Sequence, residues 1–153
     1  MENEEKILLK TQILEVCKQQ QLKTIESLNR EMEDCQQMAN EYGPPKDRYD
    51  AFRNQMLSKR DMFAQQMQKA NQELVVLNAI KPSPLKKKIE FGAVIITGQQ
   101  NYFVATSLGK VTFNNEIYLC ISPAVPIFKA LIGLKTGDAF KFNNNNISII
   151  DVF

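Results

Sequence analysis

From Asn3 to Tyr42 the chain runs without Gly or Pro, and its apolar residues return every seven positions. Ile7, Leu14, Leu28, Cys35 and Tyr42 form one row, interrupted only by Gln21, while Ile25, Met32 and Ala39 form a companion row. Polar residues fill the other faces. A 3.5-residue period with so narrow an apolar seam predicts a helix of the coiled-coil type. The abundance of Glu, Lys, Gln and Leu favours it too. After residue 46 the pattern resumes: Tyr49, Met56, Phe63, Ala70 and Leu77 repeat at seven, flanked by Met67 and Leu74. This predicts a second helix from Asp47 to Asn78. Between the two, Gly43 suits a helix end and Pro44-Pro45 cannot continue one. Two arms of similar length with a short connection should pack antiparallel. The expectation for residues 1–80 is thus a two-helix antiparallel coiled-coil hairpin with its tip at 41–50.

Pro82 and Pro84 end the second arm, and residues 81–88 read as a linker. From residue 89 the period changes to short apolar runs broken by Gly and Asn. Strands are expected near Ala93–Thr97, Tyr102–Thr106, Ile117–Ile121, Ala139–Phe142 and Ile147–Val152. Turns are expected at Gly98–Asn101, Ser107–Gly109, Asn114-Asn115, Gly137-Asp138 and within Asn143–Asn146. One short helix fits Pro126–Gly133, with Pro at its start and Gly at its end. Residues 89–153 therefore read as a small antiparallel-sheet domain, and the whole chain as α+β. Some 65 residues make a marginal domain alone, and docking on the base of the hairpin would help it.

Composition narrows the function classes. The chain has 153 residues, 44% hydrophobic and 24% charged, which is globular rather than disordered. Its net charge is +2, divided as −2 over residues 1–80 and +4 over residues 81–153. That is too even for a protein that grips many phosphates directly. Lys86-Lys87-Lys88 reads as a solvated linker run. There is no histidine, which excludes Ser-His-Asp and Cys-His catalysis. The cysteines are Cys17, Cys35 and Cys120. With no CxxC among them, they read as buried small residues of a protein in a reducing compartment. The acidic start lacks the features of a signal peptide, and no apolar run reaches the length of a membrane span. A cytoplasmic location without membrane attachment is the expectation.

Residues Ile121-Ser-Pro-Ala-Val-Pro-Ile-Phe-Lys-Ala-Leu-Ile-Gly-Leu-Lys-Thr-Gly-Asp138 carry a Ser-Pro turn, an Ala-Leu-x-Gly helix end and a Gly-Asp pair. This stretch resembles the signature of the GreA/GreB transcript cleavage factors, most strongly over Tyr118–Phe153 and more weakly over Phe91–Lys110. The order of parts is similar as well: a coiled-coil hairpin, a linker, then a domain of the FKBP type. On residues alone, most of the motif encodes turns and packing.

The resemblance implies a factor that binds bacterial RNA polymerase through its globular domain and inserts the hairpin in the secondary channel. It would modulate transcription elongation there and stimulate cleavage of backtracked RNA. Nucleic acid would be met only indirectly, through the elongation complex. Such a factor is no enzyme by itself and has no catalytic residue of its own. Its tip acids help hold a Mg²⁺ shared with the polymerase, and it binds no cofactor alone. At the tip, Lys46 and Asp47 match the family's Lys and second acid, and Asp50 matches its later acid. Pro44 stands in place of the first acid. Asp47 is thus the candidate metal-assisting residue, with Asp50 and Glu41 as further tip acids. A helix-capping role accounts for Asp47 and Asp50 equally well. Ser122, Pro123 and Pro126 are the candidate partner-binding residues. A monomer is expected, since the hairpin closes on itself. The alternative is a coiled-coil scaffold or interaction protein without a catalytic role, which would self-associate. Prolyl isomerisation is the least favoured reading, because the aromatic residues fall in strand alternation that suits a core.

Overall fold

The computed structural model describes residues 1–41 and 50–153, with backbone only for Asp50. Helix α1 spans Asn3–Glu41 and α2 spans Asp50–Ala79. The chain then forms β1 (Val94–Thr97), β2 (Asn101–Val104), β3 (Gly109–Phe113), β4 (Glu116–Ile121), α3 (Pro126–Leu131), β5 (Ala139–Phe142) and β6 (Asn145–Val152). The α+β class expected from the sequence is the class observed. The described residues fall into two compact units, one of residues 20–75 and one of residues 1–19 with 76–153.

In the unit of residues 20–75 the two helices pack antiparallel along the seam that the heptads predict. Cys35, Ala39, Met56 and Ala70 are buried, and Ile25, Leu28, Met32, Phe63, Met67 and Leu74 are half-buried between them. Gln21, the break in the heptad row, proves to be a member of the seam. It is 2% exposed, and its Nε2 donates to the backbone oxygen of Ala70 at 2.7 Å. Farther along, the Arg60 guanidinium donates to the Gln36 side-chain oxygen. A single buried amide in an apolar seam fixes which turn faces which, because a slip of register leaves it without its acceptor. Gln21→Ala should therefore lower stability by about 1–2 kcal/mol. Gln21→Leu should be near neutral in thermal unfolding but relax the register, visible as broadened spectra of seam methyl groups.

The other unit is built on a six-stranded sheet of order β3-β4-β2-β1-β6-β5. All neighbours are antiparallel except β2 and β4, which pair in parallel from Asn101↔Tyr118 to Val104↔Ile121. Strand β3 was not foreseen. Val111 is buried in it and Phe113 half-buried against the same core, while Lys110 is exposed and Gly109 opens it at φ +76°, so its apolar alternation is short and starts from a glycine. It pairs with β4 through a two-residue turn in which Asn114 and Asn115 sit at φ 50° and 62°. Asn143 and Asn144 repeat that geometry between β5 and β6, at 51° and 63°. Asn tolerates the left-handed region, and two successive positive φ values match the strand twist.

The sheet is covered on both faces. Alternation along each strand sends Val94, Phe103, Tyr118 and Cys120 to one side, where Ile13, Leu14 and Cys17 of α1 and Leu77 and Ile80 at the end of α2 cover them. Ile95, Tyr102, Val104, Ile121 and Ile149 face the other side, where Phe128 and Leu131 of α3 close the layer. Within residues 1–19, α1 thus turns a wider apolar stripe inward than the heptads alone indicate. Fully buried Ile13 and Cys17 lie outside those rows. The docking that a marginal small domain needs comes from the first five turns of α1.

Candidate partner-binding site

The strand-to-helix connection after β4 places the motif at the surface. Ser122 is half-buried, and Pro123 and Pro126 are exposed. The Ser122 hydroxyl accepts from the Ala124 amide at 3.3 Å, and its carbonyl accepts from Val125 at 3.3 Å. Pro126 begins α3, where its missing N–H costs nothing and its fixed φ starts the turn. These three residues shape one outward-facing loop, whose polar groups are largely turned to its own backbone.

The remainder of the motif works inward. Gly133, at φ +80°, donates to the Ile89 carbonyl at 2.9 Å, and Ile89 donates to Leu134 at 2.7 Å. Gly137, at φ +92°, donates to Ile149 at 3.0 Å, and Ile149 donates back to Asp138 at 2.8 Å. The Asp138 carboxylate accepts from the Lys135 amide at 3.0 Å. The Gly-Asp pair is thus a closed turn pinned to β6. Phe128 and Leu131 bury the apolar side of α3.

Of the tip acids, Glu41 is exposed as the last residue of α1, and Asp50 opens α2. Asp47, together with Pro44 and Lys46, lies outside the described residues. No group of three or more His, Cys, Asp or Glu placed to hold a metal ion occurs among the described residues. Likewise, no described helix is long and apolar enough to cross a membrane.

At the base of α1 two charged groups stand out. Lys6 bridges Asp151 of β6 at 2.9 Å and lies 5.6 Å from the centre of the Phe153 ring. The pair lines a cavity of about 550 Å³ with Ser83, Pro84 and Lys87 of the linker. Lys10, one turn on, is fully buried, and its ammonium has no hydrogen-bond partner among the described residues. Burial lowers its pKa from 10.5 to about 8; the nearby Lys86 charge adds to the lowering and Glu90 opposes it. Lys86 itself pairs with Glu90 at 3.3 Å. On the sheet face that α1 covers, burial raises the Tyr118 phenol to about 12, helped by the charge of Glu116, to which its hydroxyl donates at 3.2 Å.

Sequence reasoning missed Lys10 as a buried residue and missed the approach of Cys17 to Cys120. The first was legible in principle. Lys10 stands three, four and seven residues before Ile13, Leu14 and Cys17, on the same stripe of α1.

No protein-family model matches the chain, and no curated protein sequence matches it. Solved structures do. The chain is similar to the transcription factor Gfh1, with 14% identity and a TM-score of 0.35, covering 88% of this chain and 92% of that one. It is also similar to GreA factor homolog 1 (Gfh1) of Thermus thermophilus, with 16% identity and a TM-score of 0.34, covering 89% and 94%. At such values the superposition is loose, and nothing about function rests on it. The chain is structurally similar to Gfh1, a GreA homologue, along most of its length, at low sequence identity and low TM-score.

Proposed function

We propose that this protein is an accessory factor of bacterial RNA polymerase, acting in the cytoplasm as a monomer. It docks through its C-terminal part, places the hairpin in the secondary channel and modulates elongation. The observation that supports this reading is the layout of the motif Ile121–Asp138. Its buried members build turns and a helix face, while Pro123 and Pro126 are exposed beside half-buried Ser122 on a chain whose other half is an antiparallel hairpin. Turns and packing explain the inward residues, whereas the exposed loop is left for a partner.

The finer reading concerns the hairpin tip. Asp47 would help hold a Mg²⁺ shared with the polymerase, with Asp50 and Glu41 nearby in sequence. The carboxylates suit that ion, which takes one or two of them beside phosphate and water oxygens. When bound, such an ion supplies an activated water for phosphodiester hydrolysis. This chain's part is to bring carboxylate oxygen to a centre that belongs to the polymerase. With Pro44 in place of an acid, it brings fewer than a Gre-type tip does.

A stalled, backtracked elongation complex with Mg²⁺ tests this. The wild-type chain should accelerate RNA cleavage, and Asp47→Ala with Asp50→Ala should reduce that acceleration by at least about tenfold, as loss of a metal-supporting group does. Polymerase binding without any change in cleavage would remove the tip chemistry and leave a factor that regulates by occupying the channel.

A further inference from the structure

We propose that Cys17 and Cys120 form an oxidisable dithiol that closes to an intramolecular disulfide under peroxide, fastening α1 to the sheet. The two sulfurs lie 3.5 Å apart in a thiol–thiol hydrogen bond, joining residues 103 positions apart in the chain. Both side chains are buried, at 0% and 2% exposure, on the sheet face covered by α1. Closing to a bond of about 2.05 Å requires the sulfurs to approach by roughly 1.5 Å. Cys35 has no share in this. It is buried among Met38, Met56 and Phe63 of the hairpin.

The pair is asymmetric in a way that suits the chemistry. The hydrogen bond between the two thiols holds Cys17 below its ordinary range against the effect of burial, and the same bond with burial drives Cys120 upward. Cys17 is therefore the thiol of the pair that loses its proton more readily, and as thiolate it is the nucleophile. Its sulfur attacks one oxygen of a hydroperoxide, so that an S–O bond forms and the O–O bond breaks. The departing alkoxide, or hydroxide from hydrogen peroxide, takes up the proton that Cys17 released. Cys120 then attacks the sulfenic sulfur. The S–S bond forms, the S–O bond breaks, and the Cys120 proton leaves with the hydroxide as water. Two thiols and one hydroperoxide give one disulfide, one alcohol or water, and one water, with two electrons passing from sulfur to the peroxide. Burial sets the rate, through local opening of the α1 base, and favours a small uncharged oxidant.

The test is hydrogen peroxide treatment of the full chain followed by peptide mapping without reductant. The expected result is a cross-linked peptide pair containing Cys17 and Cys120, and a fall in free thiols from three to one. A rise in Tm of about 10 °C should accompany it, as expected for closing a loop of this length, and a dithiol reductant should reverse it. The Cys35→Ser variant should give the same cross-link. Three results would overturn the proposal: no loss of thiols under peroxide that oxidises free glutathione, over-oxidation of Cys17 without a cross-link, or cross-links through Cys35 between chains.

Discussion

Phe103→Ala should lower the unfolding free energy by about 3–5 kcal/mol, the range for truncating a buried aromatic ring. Phe103 is fully buried at the middle of β2, opposite Val94 of β1 and Cys120 of β4. Its ring packs in the layer that Ile13, Leu14 and Leu77 bring down from the helices. Removing it costs apolar burial and leaves a cavity between a sheet and a helix that are held by other contacts and cannot collapse freely. Equilibrium unfolding in urea gives the value, with Ile150→Ala as reference. Ile150 lies on β6 but is 58% exposed, and its truncation should cost under about 0.5 kcal/mol. Equal costs at the two positions would contradict the two-faced sheet described above.

Lys10→Met should stabilise the protein at pH 7 by up to about 3 kcal/mol, an unusual sign for a single substitution. Methionine keeps a buried stem of similar length and removes an ammonium that is buried without a hydrogen-bond partner among the described residues. The pH dependence gives a sharper check. Lys10 titrates near pH 8 in the folded chain and at 10.5 when unfolded. Between those values the unfolded chain binds more protons, so wild-type stability should rise with pH, and the penalty is fully present only below pH 8. Tyr118 works in the opposite sense. Its folded value of about 12 exceeds the ordinary 10, so the folded chain holds the extra proton and stability should fall above pH 10. The contributions of these two groups therefore cross near pH 10 in wild type. In Lys10→Met the Lys10 share of the rise from pH 8 should vanish, and the Tyr118 share of the fall above pH 10 should remain.

The helical half was legible because its period is long, its seam narrow and its punctuation strong. Heptads place Met56, Ala70 and Leu77 without any knowledge of the partner helix, and a Gly-Pro-Pro sequence between helix formers marks where the first arm stops. The polar residue in the row was harder to interpret. Gln21 looks like an interruption because a seam is read from apolar residues, yet an amide that reaches a backbone oxygen satisfies burial equally well. In the sheet, β3 was passed over although its Val111 and Phe113 alternate as Phe140 and Phe142 do in β5, because it opens on Gly109 and exposed Lys110 inside a turn-like stretch. Contacts between distant segments had no local signature. Nothing in the spacing of Cys17 and Cys120 sets the register of a helix on a sheet, so their meeting emerges only from the fold. The candidate loop was legible as a motif, while which of its residues turn outward depended on the packing of α3. The tip acid Asp47 lies outside the described residues, and its role rests on the resemblance of the sequence.

Binding to polymerase is the central claim. The most direct measurement is the affinity of the full chain for bacterial core RNA polymerase at physiological salt, taken with its mass in solution. The account predicts a monomer that binds the enzyme saturably. A chain that shows no affinity for polymerase and self-associates in solution would contradict it and identify a coiled-coil scaffold instead.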